Sequence, residues 1–378
     1  MAAHRDVRDV VVVGGGLMGA ASAWALTRRG RSVLLVEQFE SGQARGSSHG
    51  SSRIVRRAYG DALYTRLTGR AFELWRELES SSGRTLLRML GGVDFGPGRS
   101  VNSVAEHLEA AGVLHEVLPA AEAEARWPGM RFVGDVVFHE QAGTLDSRAA
   151  VEAFLSCAAG AEVRFSAGVR SIAPSGDGAS VQFADGSAVR ASCVVVAAGA
   201  WVQPLVGGLV ALPRLTVEQQ QVFHFPRRDT SAPPWPSVIH LDVHEMYHLA
   251  GGRDGGTGDD RKVGEHDSGM PTTANDRSGV VDPRSRVRVV DYVRRWLPGL
   301  EPTPRAEASC LYTVTPSQDF ILDRVGPIVV CSPCSGHGAK FAPLVGEFVA
   351  DLVAGIVDVP SRFRLAAHAS AATGSAAL

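Results

Sequence analysis

Cysteine is scarce in this chain, with only Cys157, Cys193, Cys310, Cys331 and Cys334 among 378 residues. An odd, scattered set of thiols does not make a disulfide framework. No second C-x-x-C and no suitably spaced His pair completes Cys331 and Cys334 into a zinc site, so no metal is expected and CSPC reads as strand-end packing. An excess of one charge is also lacking. Lys plus Arg number 38 against 40 Asp plus Glu, a net charge of -2, and no basic stripe stands out, which argues against a nucleic-acid partner. Long apolar runs are missing too. Val10–Leu26 is interrupted by four glycines and falls short of the ~20 residues that span a bilayer, so no membrane association is expected. The start, MAAHRDVRDVVVVGGG, has no charged segment followed by a cleavable apolar stretch, and a cytoplasmic location is expected. What remains, 45% hydrophobic and 21% charged residues, suits a globular protein of about two domains.

Val10-Val11-Val12-Val13 is a β-branched run of the kind that fills a central parallel strand. Gly14-Gly15-Gly16-Leu17-Met18-Gly19 follows at once and matches G-x-G-x-x-G. In that pattern the first glycine allows a tight turn, the second lets the backbone approach a pyrophosphate, and the third lets helix and strand pack closely. A helix is predicted through Ala20–Arg29, stopping at Gly30. A second strand, Ser32–Val36, ends on Glu37, whose carboxylate is placed to bind ribose hydroxyls. Strand, glycines, helix, strand and acid in order predict a βαβ unit for the ADP half of a dinucleotide. Taken alone they do not separate FAD from NAD.

Downstream stands Gly46-Ser47-Ser48-His49-Gly50-Ser51-Ser52-Arg53-Ile54-Val55-Arg56-Arg57-Ala58-Tyr59-Gly60. This resembles the signature of the monomeric sarcosine oxidase and N-methyltryptophan oxidase family, which reads roughly GSHHGDTRIIRHAYG. Arg126-Trp127-Pro128-Gly129, the run Val194–Trp201, Cys310-Leu311-Tyr312-Thr313, Asp319–Asp323 and Ser335–Phe341 continue the match in the same order. The resemblance implies FAD and an α/β fold: a Rossmann-like FAD-binding domain with a second, mixed-sheet α+β substrate domain. The expected division is 1-95, 140-215 and 305-365 for the flavin domain and 96-139 and 216-304 for the substrate domain, with a flexible tail at 366-378. On the sequence's own terms, Leu63–Leu78 repeats apolar residues at helical spacing before Gly83, and Ser180–Ser192 alternates around the hairpin turn Asp185-Gly186.

The resemblance assigns roles residue by residue. Cys310 aligns with the cysteine that carries FAD through a thioether to the flavin 8α-methyl group. Arg56 and Lys340 align with the pair that holds the substrate carboxylate, a planar fork and a point charge. Lys262 aligns with the lysine that activates oxygen over the flavin. Arg53 and His49 are expected near the flavin ring, and His266 and Tyr312 in the substrate cavity. A Tyr of the family's pocket is read here as His248, and Ala339 replaces the Phe before the signature lysine. Cofactor contacts are expected from Gly14, Gly16, Leu17, Met18, Gly19, Glu37, Arg45, Ser47, Val169, Ala198, Gly199, Trp201, Cys310, Gly336, Gly338 and Lys340. Gly336–Lys340 also opens a helix with an apolar face at Phe341, Leu344, Val345, Phe348, Val349, Leu352 and Val353, and such a helix start favours the negative charge that collects on reduced flavin.

The implied reaction is oxidation of a secondary amino acid, N-alkyl or cyclic, to an imine, with O2 as acceptor and hydrogen peroxide as product, by a monomer. Three alternatives stay open: a biosynthetic oxidase of a tailored amino acid or imine, a dehydrogenase with another electron acceptor, and a non-catalytic flavin-binding subunit of a larger complex.

Overall fold

The computed structural model describes residues 7–255, 260–266, 268–333 and 335–374. Val7–Val13 is the central strand of an eight-stranded sheet. It pairs in parallel with Val33–Val36 on one side and with Ala188–Val196 on the other. Glu162–Arg164 and Ile328–Ser332 extend the parallel set outward. Val10 to Val12 are fully buried, because helices cover the sheet on one face and smaller elements cover the other, as doubly wound sheets require. Helices Leu17–Arg28, Ser147–Cys157 and Ala342–Ala354 supply the first cover, packed through Trp24, Phe154, Val345 and Val349.

The long helix Ala62–Ser82 starts where the Asp61 carboxylate accepts hydrogen bonds from the Leu63 and Tyr64 amides, and it stops at Gly83 in the left-handed conformation. Helix Ala342–Ala354 carries Pro343 in its first turn, where a missing amide hydrogen costs nothing. The hairpin around Asp185-Gly186 joins Gly178–Phe183 to Ala188–Val196, as the alternation predicts.

A second, nine-stranded sheet runs in the order Met270–Thr272, Thr216–Phe225, Arg261–Glu265, Glu245–Ala250, Ser237–Leu241, Gly92–Phe95, Asp135–His139, Glu116–Pro119, with Ala306–Val314 also paired to Thr216–Phe225. Helix Pro283–Trp296 covers one face through Val289, Tyr292 and Val293, against Phe223, Phe225 and Val263. A three-stranded sheet, Arg53–Arg56, Ala142–Leu145 and Leu87–Met89, makes a third layer and carries Arg53 and Arg56.

Two expected boundaries move. Gly92–Phe95 and Ala306–Val314 belong to the second sheet, not to the dinucleotide-binding one. Ala306–Val314 pairs antiparallel with Thr216–Phe225 over nine positions, from Ala306 opposite His224 to Val314 opposite Thr216, and so places Cys310 in the second sheet. The tail also differs from expectation. Residues Leu365–Gly374 form a helix, consistent with the high helix propensity of alanine. Its start is tied down by the Asp323 carboxylate, which accepts from Arg364 and from the Leu365 amide, and His368 is buried with Nε2 2.9 Å from the Phe320 carbonyl. No helix among the described residues is long and apolar enough to cross a membrane.

Candidate active site

One cavity of about 1020 Å³ runs from the first glycine turn to the face of the second sheet, at the upper end of the range for ligand pockets. At its first end, Gly14 has φ +109°, and a Cβ on Gly19 would lie 1.8 Å from the Gly14 carbonyl oxygen. Gly19 itself does not line the cavity; it lets helix and turn touch. The Glu37 carboxylate accepts from the Gly15 amide at 2.8 Å and from the Phe39 amide at 3.0 Å, which fixes it at the strand end beside the turn. Ser48 Oγ accepts from the Leu17 amide at 2.9 Å, standing at the opening of helix Leu17–Arg28.

Of the residues expected to touch the cofactor, Gly14, Gly16, Leu17, Met18, Glu37, Ser47, Val169, Ala198, Gly199, Trp201, Cys310, Gly336, Gly338 and Lys340 all line this one space. Arg45 does not. Its guanidinium lies over the Phe39 ring, 5.2 Å from the centroid. These residues fit FAD: a carboxylate and glycine turn border the cavity at one end, and a half-buried thiol and the turn Gly338–Phe341 border it as well. His49 supports the fit, since it lines the cavity with a buried Nε2 that has no hydrogen-bond partner among the described residues.

The roof of the cavity is the inner face of the second sheet. Side chains alternate across a strand, so Ala308, Cys310 and Tyr312 point one way and the buried Ser309, Leu311 and Thr313 the other, although all six border the cavity. By the same rule Glu245, Tyr247 and Leu249 face in, and His248 faces out. His248 is buried on the opposite face, where its Nδ1 accepts from Arg261 Nε at 2.8 Å. Tyr247, and not the expected His248, is therefore the residue of this pair that borders the cavity. Tyr247 hydrogen-bonds Tyr312, and burial holds both hydroxyls well above the usual phenol range. Gly264 faces Tyr247 across the strand pair, and a Cβ there would lie 2.7 Å from the Tyr247 hydroxyl.

Lys262 sits between Leu249 and His224 on neighbouring strands. It is only 5% exposed, and Nζ donates to the Ser52 carbonyl at 3.0 Å. Burial, reinforced by Arg53, lowers its pKa to about 7. Arg53 braces the loop before it by donating to the Ser47, His49 and Ser52 carbonyls. Burial and the nearby cations lower His49 and His224 to about 4, so both rings are neutral at pH 7. His224, Tyr247 and Asp254 line the cavity without having been anticipated from motifs.

At the far end, Arg56 Nη1 donates to Asp94 Oδ1 at 2.6 Å and the guanidinium lies over the Tyr59 ring. Arg99 also reaches Asp94, with Nη2 2.6 Å from Oδ1 but outside hydrogen-bond geometry. Asp94 is 1% exposed, a buried anion made tolerable by two cations. Lys340 Nζ donates to the Tyr59 hydroxyl and the His337 carbonyl, both at 2.9 Å, and burial with Arg56 nearby lowers its pKa well below the usual range. The His266 ring stands 5.6 Å from that of Tyr312. Asp94, Arg99 and Glu245 carry no motif and were not anticipated. Cys331 is buried at the end of its strand, as expected; Cys334 lies outside the described residues.

A family model described as FAD dependent oxidoreductase matches residues 9–352. Monomeric sarcosine oxidase of Streptomyces avermitilis is 34% identical, over 91% of this chain and 93% of its own. Peroxisomal sarcosine oxidase of Mus musculus is 32% identical, over 93% of each. The solved structure of NikD, an unusual amino acid oxidase essential for nikkomycin biosynthesis, superposes with a TM-score of 0.83 at 27% identity, over 95% of this chain and 98% of that one. With the glycine turn, Glu37 and the cavity beyond them, these likenesses place the chain in the FAD-dependent oxidoreductase family, among the relatives of sarcosine oxidase.

Proposed function

We propose that this chain is an FAD-dependent oxidase of a secondary amino acid, N-alkyl or cyclic, acting as a cytoplasmic monomer. The observation that carries the reading is that Arg56 and Lys340 share one cavity with Lys262, Cys310 and the glycine turn. Bound FAD supplies the two-electron acceptor for the substrate C–H and the reductant of O2, so that an imine and hydrogen peroxide leave. The chain's own residues do the rest.

Arg56 offers a planar fork to the substrate carboxylate and is held in place by Asp94. Lys340 is poised by Tyr59 and the His337 carbonyl. An arriving carboxylate offsets the burial that depresses its pKa and draws it toward its charged form. Tyr247, Tyr312 and His266 close the substrate's surroundings, and such positioning is a large part of the rate. Lys262 places a buried positive charge where oxygen would gain negative charge. Cys310, a free and half-buried thiol on the roof, is the side chain that would carry the cofactor through a thioether. The likeness to NikD favours a second reading, an oxidase of a tailored amino acid in a biosynthetic pathway.

An anaerobic screen of N-alkyl and cyclic amino acids for flavin bleaching tests the activity, followed by peroxide assay on admitting air. Bleaching by none of them sinks the oxidase reading. Acid precipitation tests the linkage: yellow colour should stay with the pellet, and its release to the supernatant overturns a bond to Cys310.

A further inference from the structure

Glu245 is a feature of the carboxylate-binding end that this reading does not use. It stands at the start of strand Glu245–Ala250, two residues before Tyr247 and on the same face, with its side chain on the cavity wall. It is half-buried and makes no hydrogen bond or ion pair with another described side chain. It lines the same cavity as Arg56, Tyr59, Tyr247 and Lys340, where the substrate carboxylate would be held. Two carboxylates confronted across a cavity repel unless something positive lies between them.

The neighbouring charges do not remove the problem. Asp94 is already engaged by Arg56 and Arg99, whereas Glu245 has no cation paired with it among the described side chains. A ligand bringing only a carboxylate leaves Glu245 unpaired in a largely buried space, which is costly. A ligand bringing a carboxylate and a cationic nitrogen does not.

We propose that Glu245 is a specificity-determining residue that receives a positively charged nitrogen of the substrate, beside the carboxylate held by Arg56 and Lys340. The inference rests on the amino-acid oxidase reading above and narrows it. The cation has two sources, the α-amine or a basic side chain, and both present the same charge to Glu245.

Paired carboxylates of equal shape separate these cases, with binding to the flavin-loaded enzyme read from the flavin absorbance spectrum. Trimethylammonioacetate against 3,3-dimethylbutanoate places the charge next to the carboxylate; 5-aminopentanoate against hexanoate places it at the far end of a chain. The wild type should prefer the cationic member of at least one pair by about tenfold, the scale of a partly screened close charge pair. The pair that shows the preference identifies the source. Glu245→Gln should bring that ratio to within about twofold, weakening the member that carries the cation and tightening the one that lacks it, and Glu245→Asp should keep most of the preference. Equal affinities within both pairs, or a preference that survives Glu245→Gln, overturns the role of Glu245 alone. If no carboxylate of either pair perturbs the spectrum, docking on Arg56 and Lys340 falls, and this proposal falls with it.

Discussion

Replacing Lys262 by methionine removes a buried charge and keeps a stem of similar length. Nζ is fixed by one hydrogen bond to the Ser52 carbonyl, on a strand between Leu249 and His224, so the charge has little freedom to be supplied from elsewhere. A unit charge about 4 Å from developing negative charge is worth about 4 kcal/mol at an effective dielectric constant near 20. That is about a thousandfold in rate, and loss of a single preorganised electrostatic group costs about 100- to 1000-fold. With a pKa of about 7, about half the molecules carry the charge at neutrality, which trims the effect by only about twofold. A lysine is charged below its pKa, so the second-order rate with O2 should be highest below pH 7 and fall as pH rises through it. Stopped-flow mixing of the anaerobically reduced enzyme with oxygenated buffer measures this step, and anaerobic mixing with substrate measures the other half-reaction. Lys262→Met should slow the oxygen step by two to three orders of magnitude, flatten its pH profile, and leave substrate oxidation within a few-fold. If the oxygen step stays within about fivefold of wild type, or both half-reactions fall together, Lys262 does not act through its charge on oxygen.

Gly19→Ala puts a Cβ 1.8 Å from the Gly14 carbonyl oxygen; the turn must open, and the purified protein should lose most of its flavin absorbance, with a stability cost of about 1–3 kcal/mol in urea unfolding. Gly264→Ala places a Cβ 2.7 Å from the Tyr247 hydroxyl and should raise KM for the amino acid by about tenfold with a smaller change in the oxygen step. His139 is 1% exposed, neither ring nitrogen has a hydrogen-bond partner among the described residues, and burial lowers its pKa to about 4. For a base with a lowered folded-state pKa the unfolded chain takes the proton first, so stability present above pH 6.5 is lost as pH falls toward 4. The loss is about 2 kcal/mol at pH 5, and in urea titrations at pH 8 and pH 5 the His139→Leu variant should lose that much less than wild type.

The dinucleotide-binding unit was legible because each of its parts is set locally. Four consecutive valines specify a strand buried on both faces, and Gly14 and Gly19 permit contacts that a Cβ would block. Arg56, Lys262, Cys310 and Lys340 were legible through motifs, and the fold brings these distant segments to one cavity. The domain edges were less so. The partner of strand Ala306–Val314, which is Thr216–Phe225, is chosen by long-range pairing, which a local pattern does not announce.

The misplaced pocket residue shows where motif reading ends. Along Met246-Tyr247-His248-Leu249 the chain offers a tyrosine and a histidine side by side, and a shift of one residue exchanges the two faces of the strand. Only the pairing of Tyr247 with Gly264 and of His248 with Val263 decides which one faces the cavity. The same holds for the charges around it. Asp94 pairs with Arg56 and Arg99 because three separate segments converge, and a carboxylate at position 94 or 245 carries no sign of that in its neighbours. The reaction class is therefore written in short motifs, while substrate choice is written in contacts among segments far apart in the chain. It follows that exchanging Asp94, Arg99 or Glu245 should alter which amino acid is accepted more than how its electrons reach oxygen, since Asp94 engages Arg56 and Arg99, and Lys262 is held by the Ser52 carbonyl and by none of the three.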